Sequence, residues 1–315
     1  MKSSKSGYEG PKHGFGFRAK KDFNKNWPIY LILLPVVVYF FIFSYLPMVG
    51  ITMAFQNYNI HRGWWDSPWV GFQHFIDFFQ SHHFNRIIRN TFLLSLYDLL
   101  LNFPMPIIFA LMLNELRHLK FKRVVQTISY MPFFISMVVI AGLIRDFFAS
   151  TGPMTQLISA MGGPSGNLLG MPNMFRGIFV GTQLWQSIGF ASIIYVAALA
   201  GIDQELYEAA KLDGANRLRQ TWHITLPGIK STITILLILR LGQLLNVGFE
   251  RVILLYSPAV YETADVIGSF VYRRGLIENS FSFATAVGLF NSVVSLVLII
   301  SANFIARKVG ETSLF

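Results

Sequence analysis

Six long apolar segments occur along the chain, and shorter charged segments separate them. A helix that crosses the hydrocarbon core of a bilayer needs about 20 consecutive, mostly apolar residues, and each segment is long enough for this. A helix also satisfies its own backbone hydrogen bonds, which lipid cannot do. The pattern therefore predicts an all-α, polytopic membrane helix bundle with six transmembrane helices. The predicted spans lie within residues 29–55, 89–115, 124–144, 177–202, 233–255 and 279–306.

Basic residues are distributed unevenly between the segments that connect these spans. Lys and Arg are enriched in the cytoplasmic loops of membrane proteins. The segments on the same side as the N-terminus carry 17 Lys and Arg residues. The segments on the opposite side carry 8, when Arg89 and Arg251 near the ends of the second and fifth spans are counted with them. Both termini are therefore predicted to be cytoplasmic. The predicted cytoplasmic segments are residues 1–26, 114–123, 203–230 and 307–315.

The composition agrees with a membrane protein. Only 13% of the 315 residues are charged, against about 25% in an average soluble domain. The net charge of +10 lies beside apolar segments, so it indicates contact with acidic lipid headgroups and no nucleic-acid partner. We expect a cytoplasmic N-terminal tail over residues 1–26 and a single transmembrane domain over residues 27–315. The chain has no cysteine, which excludes disulfides and thiolate metal sites.

One predicted cytoplasmic segment, residues 203–227, has the pattern of a short helix-turn-helix. Residues 207–212 are good helix formers, Gly214 permits a sharp turn, and Pro227 stops or redirects the chain. The small side chains of Ala209 and Ala210 would let another protein approach closely. The segment is therefore interpreted as a docking element, although it could also simply connect two spans.

The same segment resembles the EAA loop of ABC importer permeases. The resemblance is carried, with the spacing of the family, by Glu208, Ala209, Ala210, Gly214, Ile224, Leu226 and Pro227. Further stretches resemble the polysaccharide and complex-sugar branch of the carbohydrate permeases. They are residues 45–48, 67–71, 89–91 and 122–132, and the resemblance extends over about residues 27–310.

This resemblance implies a transport subunit that is not itself an enzyme. Its implied partners are a second permease subunit, a dimer of ATPase subunits, an extracytoplasmic solute-binding protein and an oligosaccharide. ATP and Mg would be bound by the ATPase subunits, with no cofactor or metal in this chain. The implied location is the inner membrane of a bacterium. In the family the loop contains the coupling helix, so Glu208 and Asp213 are expected near the ATPase, with Gly214 shaping the turn.

Polar residues inside the fifth and fourth spans are candidates for the substrate path. Arg240, Gln243, Asn246 and Glu250 recur every three or four residues and would share one helical face. This stripe suits either a hydroxyl-rich substrate or packing against the partner permease. Trp185 and Gln186 are candidates for sugar contacts, and an interfacial anchor is the alternative for the tryptophan. These candidates are retained together as the predicted substrate path.

Charge within the spans bears on the substrate class. Asp98 and Arg240 are either paired or separate, and the sequence leaves both possibilities open. An arginine at bilayer depth is compatible with an acidic, uronate-type sugar such as an alginate fragment, and neutral oligosaccharides are the alternative. Gly177 and Gly181 form a G-x-x-x-G pattern that favours close helix packing.

Three rival functions remain at this stage. An ion-coupled secondary sugar transporter is expected to have several acids at membrane depth, and a membrane enzyme needs a polar catalytic cluster. A scaffold that binds an ATPase without transport is the third. The sequence contains no G-x-x-x-x-G-K-[ST] phosphate loop and no H-E-x-x-H motif. Energy for transport would therefore come from a partner or from an ion gradient.

Overall fold

The computed structural model describes residues 15–308 of the chain. The structure is 79% helical and has no strand within those residues, which confirms the all-α prediction. Two isolated β-bridges, between Gln56 and Trp69 and between Asn59 and Gly63, fold the segment after the first predicted span. The helices are α1 (Phe15–Phe40), α2 (Gln73–Gln80), α3 (Phe84–Asn102), α4 (Pro104–Glu115), α5 (Leu119–Tyr130), α6 (Met137–Phe147), α7 (Pro153–Ala160), α8 (Pro172–Ala200), α9 (Gln204–Leu212), α10 (Arg217–Gln220), α11 (Leu226–Gly228), α12 (Lys230–Gly242), α13 (Phe249–Leu255), α14 (Tyr261–Ala264), α15 (Ile267–Tyr272) and α16 (Phe281–Lys308).

Four helical stretches in the described residues are long and apolar enough to cross a membrane. Two further candidates are pairs of helices that bend sharply at a short break, by 99° and by 61°. The chain thus has between four and six candidate spans among the described residues. A count of six would include residues 217–228, which belong to the predicted docking segment, so the number of six stays a prediction. The continuous stretches are Phe23–Phe55, Phe84–Glu115, Pro172–Ala200 and Phe281–Lys308, and the bent pairs are Leu119–Phe134 with Met137–Phe147 and Arg217–Gly228 with Lys230–Gly242.

The chain divides into two compact units, residues 1–52 and 53–315. In the first unit, α1 contains Pro28, and the backbone of Asn26 leaves the helical region (φ −114°, ψ 17°). Proline lacks an N–H donor and crowds the preceding turn, so a kink at this point is expected. The kink lies within α1, and the boundary between tail and transmembrane domain after residue 26 stays a prediction. Part of the predicted tail, residues 1–14, lies outside the described residues.

In the second unit, α8 is the central helix. It packs against α3, α4, α5, α12, α13 and α14. Its first half carries Phe175 and Phe179, which are fully buried in the largest apolar cluster. Its second half carries Tyr195 and Leu199, which pack in a separate cluster with Ile229 at the start of α12. The two halves of α8 therefore contribute to two separate apolar clusters of the bundle.

The fifth predicted span differs from the structure. A continuous helix was predicted within 233–255, but α12 ends at Gly242 and α13 begins only at Phe249. At Gly242 a side chain would overlap Ile299 of α16, so the two helices approach closely there. Gly248 has a positive φ of 28°, which breaks the helical path. The prediction of one helical face for Arg240, Gln243, Asn246 and Glu250 is therefore wrong.

Between residues 15 and 308, the close packing predicted for Gly177 and Gly181 is not found. A Cβ atom added at either position would meet nothing within 4 Å, and both glycines line an open groove with Tyr97 and Arg176. The close contact on α8 is instead at Gly189, where a Cβ atom would overlap the backbone of Ser129 in α5. The G-x-x-x-G pattern identified the right helix but the wrong glycines.

This contact leads to a prediction about stability. We expect Gly189→Ala to lower the free energy of unfolding by about 1–3 kcal/mol, because the added methyl group overpacks the α5–α8 crossing. The measurement is the thermal unfolding midpoint of the purified protein in detergent.

Gly181→Ala is the matched control, since it is the same substitution on the same helix facing open space. Alanine is the better helix former by about 1 kcal/mol, so the control is expected to be neutral or slightly stabilising. Equal midpoints for the two variants would contradict the importance of the crossing.

Candidate functional site

Asp98 and Arg240 form an ion pair between α3 and α12. The Asp98 side chain is 13% exposed, and its other carboxylate oxygen accepts a hydrogen bond of 2.7 Å from Nδ2 of Asn102. Of the two alternatives that the sequence left open, the paired one is correct. The pair neutralises both charges within the bundle, where an isolated charge is costly.

Arg251, in the first turn of α13, is held differently. Its guanidinium donates to the side-chain oxygens of Gln183 and Gln186 on α8, the latter at 2.8 Å. It also lies over the ring of Phe179, 5.7 Å from the ring centre. No carboxylate forms an ion pair with Arg251 in residues 15–308. Its hydrogen bonds are therefore made to neutral side-chain oxygens and not to a carboxylate.

The broken segment between α12 and α13 brings polar backbone into the same region. Oγ of Ser95 on α3 donates to the carbonyl oxygen of Leu244. The segment also carries the side chain of Asn246, whose Oδ1 accepts a hydrogen bond of 3.3 Å from Nδ2 of Asn291 on α16. Irregular backbone at membrane depth is tolerated where it is buried in protein or lines a cavity.

Two cavities lie next to each other in this region, and Gln183 and Arg240 line both of them. The first has a volume of about 150 Å³, and its lining residues are Ser95, Asp98, Gln183, Arg240, Gln243, Leu244, Asn246, Val247, Gly248 and Arg251. We call it the polar cavity. The second, of about 260 Å³, is lined by Tyr195 and Leu236 among others. The polar cavity and a second, more apolar cavity therefore both adjoin the Asp98–Arg240 pair.

The predicted substrate-path residues separate into two groups. Arg240, Gln243 and Asn246 line the polar cavity despite the break in the helix. Gln186 reaches it through its hydrogen bond to Arg251. Glu250 is exposed and lies outside the cavity lining.

Trp185 is 48% exposed and contributes to neither cavity. Sequence reasoning did not include Gln183 and Arg251 among the site residues. The available signal was the spacing of Gln183 and Gln186, which places two amides near one face of a helix.

The segment 203–227 forms the expected helix-turn-helix. Asp203 begins α9 by accepting a hydrogen bond from the N–H of Glu205 at 3.0 Å, and Asn216 caps α10 in the same way at 2.9 Å. Between them, Gly214 has φ of +74°. The N–H of Ala215 donates to the carbonyl of Ala210 at 2.9 Å, the pattern of a Schellman turn. Gly214 is needed because other residues are strained at this backbone angle.

Several residues of the segment 203–227 contact the helix bundle and fix the segment against it. Ile224 and Leu226 pack on the apolar cluster around Ile229, and the Tyr207 hydroxyl is 3.0 Å from Oγ1 of Thr225. Arg217 forms an exposed ion pair of 2.6 Å with Glu115 at the end of α4.

The remaining residues of the predicted coupling motif face outward. Those exposed are Glu208, Ala209, Asp213, Gly214 and Pro227, and Ala210 is partly buried. Exposed apolar side chains surround them and were not identified from the sequence. Leu212 is 90% exposed, Leu218 72% and Trp222 67%. Large apolar residues in contact with water at a charged surface are typical of an interaction site.

A second polar cluster joins α3 to α14 and α15. Asp265 is fully buried and accepts hydrogen bonds from Arg273 at 2.6 Å and Arg86 at 3.3 Å. Burial acts to lower the pKa of Arg273, but the hydrogen bonds and charge of Asp265 outweigh it and the pKa is raised. Asn90 adds hydrogen bonds to the carbonyls of Glu262 and Asp265. Asp265 forms ion pairs with both arginines, so this cluster holds α3 against α14 and α15.

The ion pair in the site leads to a second prediction. We expect Asp98→Asn to lower the free energy of unfolding, because it leaves Arg240 charged without a partner. Breaking a fully buried pair costs about 3–5 kcal/mol. The Arg240 side chain is 37% exposed, so solvent reduces the expected loss to about 1–3 kcal/mol.

The measurement is a double-mutant cycle on the thermal unfolding of the purified protein. The double variant Asp98→Asn/Arg240→Gln removes both charges and is expected to recover much of the loss. Strictly additive effects of the two substitutions would show that the pair contributes no coupling energy.

A comparison with known families matches residues 83–311 to the model of the binding-protein-dependent transport system inner membrane component. This region contains the polar cavity and the helix-turn-helix. It covers more than half of the chain.

Proteins similar to this chain over nearly its whole length support the same assignment. Protein LplB of Bacillus subtilis (strain 168) is 46% identical over 91% of both chains. The polygalacturonan/rhamnogalacturonan transport system permease protein YteP of the same organism is 44% identical over 91% of this chain and 90% of its own length. A chain in the crystal structure of a bacterial alginate ABC transporter, in complex with an alginate pentasaccharide-bound periplasmic protein, is 45% identical. It superposes with a TM-score of 0.86 over 93% of this chain and 99% of its own length.

The sequence match, the shared fold and the family model agree over the part of the structure that carries the cavity and the exposed loop. The chain belongs to the family of inner membrane components of binding-protein-dependent transport systems.

Proposed function

We propose that the chain is a transmembrane permease subunit of an ABC importer that takes up oligosaccharides. The observation that carries the proposal is the helix-turn-helix 203–227, which is fixed to the bundle on one side and exposes apolar residues on the other. The substrate class is supported by the relatives, since one is named for transport of polygalacturonan and rhamnogalacturonan and another for alginate. The polar cavity supplies amide and hydroxyl groups that suit a sugar.

The partners follow from the exposed surfaces and the family. An ATPase subunit docks on the loop at Glu208, Ala209, Asp213 and Gly214, with Leu212 as an apolar anchor. A second permease subunit completes the path through the membrane, and a dimer of ATPase subunits binds ATP and Mg. A solute-binding protein outside the membrane delivers the oligosaccharide. The chain itself catalyses no reaction.

The structure supports a direct mechanical route from the loop to the cavities. Ile224 and Leu226 of the loop pack in the same apolar cluster as Tyr195 and Leu236, which line the second cavity. Movement of the loop, when the ATPase subunits close, would therefore displace the walls of the cavity beside Arg240. This links ATP binding in the partner to access through the permease.

We also propose that the chain lies in the bacterial inner membrane with both termini in the cytoplasm. Residues 1–26 would then be a cytoplasmic tail and residues 27–315 the permease domain. This orientation places the loop 203–227 on the side where ATP is available.

The docking surface is tested by a substitution that leaves the fold intact. We expect Leu212→Ser to reduce co-purification of the ATPase subunit at least about tenfold, because it removes a 90%-exposed apolar contact at the centre of the loop. The measurement is the amount of ATPase subunit recovered with the permease pair. It is combined with ATP hydrolysis in proteoliposomes, with and without sugar-loaded binding protein.

Met161→Ser is the matched control, since Met161 is 80% exposed in a segment predicted to be external. It is expected to assemble with the ATPase like the unmodified chain, because it lies on the side opposite to the loop 203–227. If Leu212→Ser assembles equally well, the docking assignment is wrong. If the unmodified chain recruits no ATPase at all, the importer function is wrong.

The absence of cysteine makes the orientation directly testable. We expect a single cysteine at Glu205 to react with a membrane-impermeant maleimide only after the cells are opened. A single cysteine at Arg62, which is exposed between the first two predicted spans, is expected to react in intact spheroplasts. The reverse labelling pattern would show that the orientation is inverted.

A further inference from the structure

Two arginines line the polar cavity, and they differ in how their charge is balanced. Arg240 is paired with Asp98. Arg251 is bound by two glutamine amides and, in the part of the chain that the structure describes, by no carboxylate. Glu250, its neighbour in the sequence, is exposed and forms no ion pair with it.

An unpaired guanidinium in this position is energetically costly. Charges at membrane depth are expensive, and Arg251 is partly buried there without an ion-pair partner among the described residues. Amide oxygens satisfy hydrogen bonds, but they do not cancel the charge. Arg86 and Arg273 share the buried carboxylate of Asp265. Arg176, like Arg251, is bonded to neutral oxygens, those of Thr263 and Asn90. What distinguishes Arg251 from Arg176 is that it lines the polar cavity.

The surroundings of Arg251 suit an anionic ligand group. Asp98 and the two arginines give the cavity lining a net charge of +1. The guanidinium Nε is buried and has no hydrogen-bond partner among the described residues. The cavity volume of about 150 Å³ is below the range of about 300–1,000 Å³ for whole small-molecule sites. It therefore fits one sugar carboxylate and its ring edge better than an entire oligosaccharide.

We propose that Arg251 binds the carboxylate groups of an acidic oligosaccharide as it passes through the permease. This inference rests on the proposed import function and assigns the substrate preference to one residue. A guanidinium and a carboxylate form two parallel, charge-assisted hydrogen bonds, which a neutral sugar cannot provide. Gln183 and Gln186 hold the guanidinium toward the cavity. Arg240, which the sequence suggested for this role, is already neutralised by Asp98.

The test compares two sugars in proteoliposomes that contain the complete importer. The probes are a uronate pentasaccharide and its carboxyl-reduced, neutral form of the same length. The readout is the ratio of their initial ATP-dependent uptake rates, divided by the ratio for the unmodified chain. Since every assay contains the same binding protein, the preference of that protein cancels.

Two variants remove the proposed site by different routes. Arg251→Gln deletes the charge. Gln183→Glu leaves the arginine in place but gives it a carboxylate within the chain, and it changes the size of the side chain very little. Both are expected to lower the acidic-to-neutral ratio by about tenfold, which corresponds to about 1.4 kcal/mol. Arg251→Lys keeps the positive charge but loses the planar guanidinium, which can donate two parallel hydrogen bonds to a carboxylate. It is expected to retain part of the preference for the acidic sugar.

Arg145→Gln is the matched control, because it removes an exposed arginine that does not line the cavity. An unchanged ratio in both Arg251→Gln and Gln183→Glu would overturn the proposal, even if both uptake rates fell together. In that case ATP-driven uptake by the unmodified chain would leave the importer function standing. Failure of the unmodified chain to take up either sugar would instead refute the importer function on which the proposal rests.

Discussion

The ion pair between Asp98 and Arg240 connects α3 with α12 just before the fifth apolar segment leaves its helical path. Neither charge could remain alone at this depth without a large cost. Together they allow the broken segment to enter the bundle, where Ser95 and Asn291 bond to its exposed polar groups. The polar cavity, the position of Arg251 and the boundary between the two cavities all depend on this arrangement.

The sequence predicts well those features that depend on length, composition and local backbone chemistry. The apolar runs indicate the helix bundle because spanning a bilayer requires a minimum number of apolar residues. The turn at Gly214 was also predictable, because only glycine readily adopts its backbone angle between two short helices. The exposure of Leu212 was not, since an apolar residue on a short helix is equally compatible with burial.

Features that depend on contacts between distant residues could not be derived. The close approach of Gly242 to Ile299, at the end of α12, is one such contact, and no local pattern shows it. A continuous helix was therefore assumed, and Glu250 was assigned to the site where the structure places Arg251. The G-x-x-x-G pattern failed for a related reason. It indicates that a helix can be approached closely, but not at which glycine the neighbouring helix crosses.

The crossing at Gly189 has a consequence for how the permease can move. At Gly189, no side chain separates α8 from the backbone of Ser129 in α5, so the two helices are in direct backbone contact. Sliding one helix along the other would bring larger side chains of α8 into this contact, where there is no space for them. Helices α5 and α8 should therefore travel as one rigid body during transport. Any movement of this pair relative to α6 would then have to occur at the 99° bend that precedes α6.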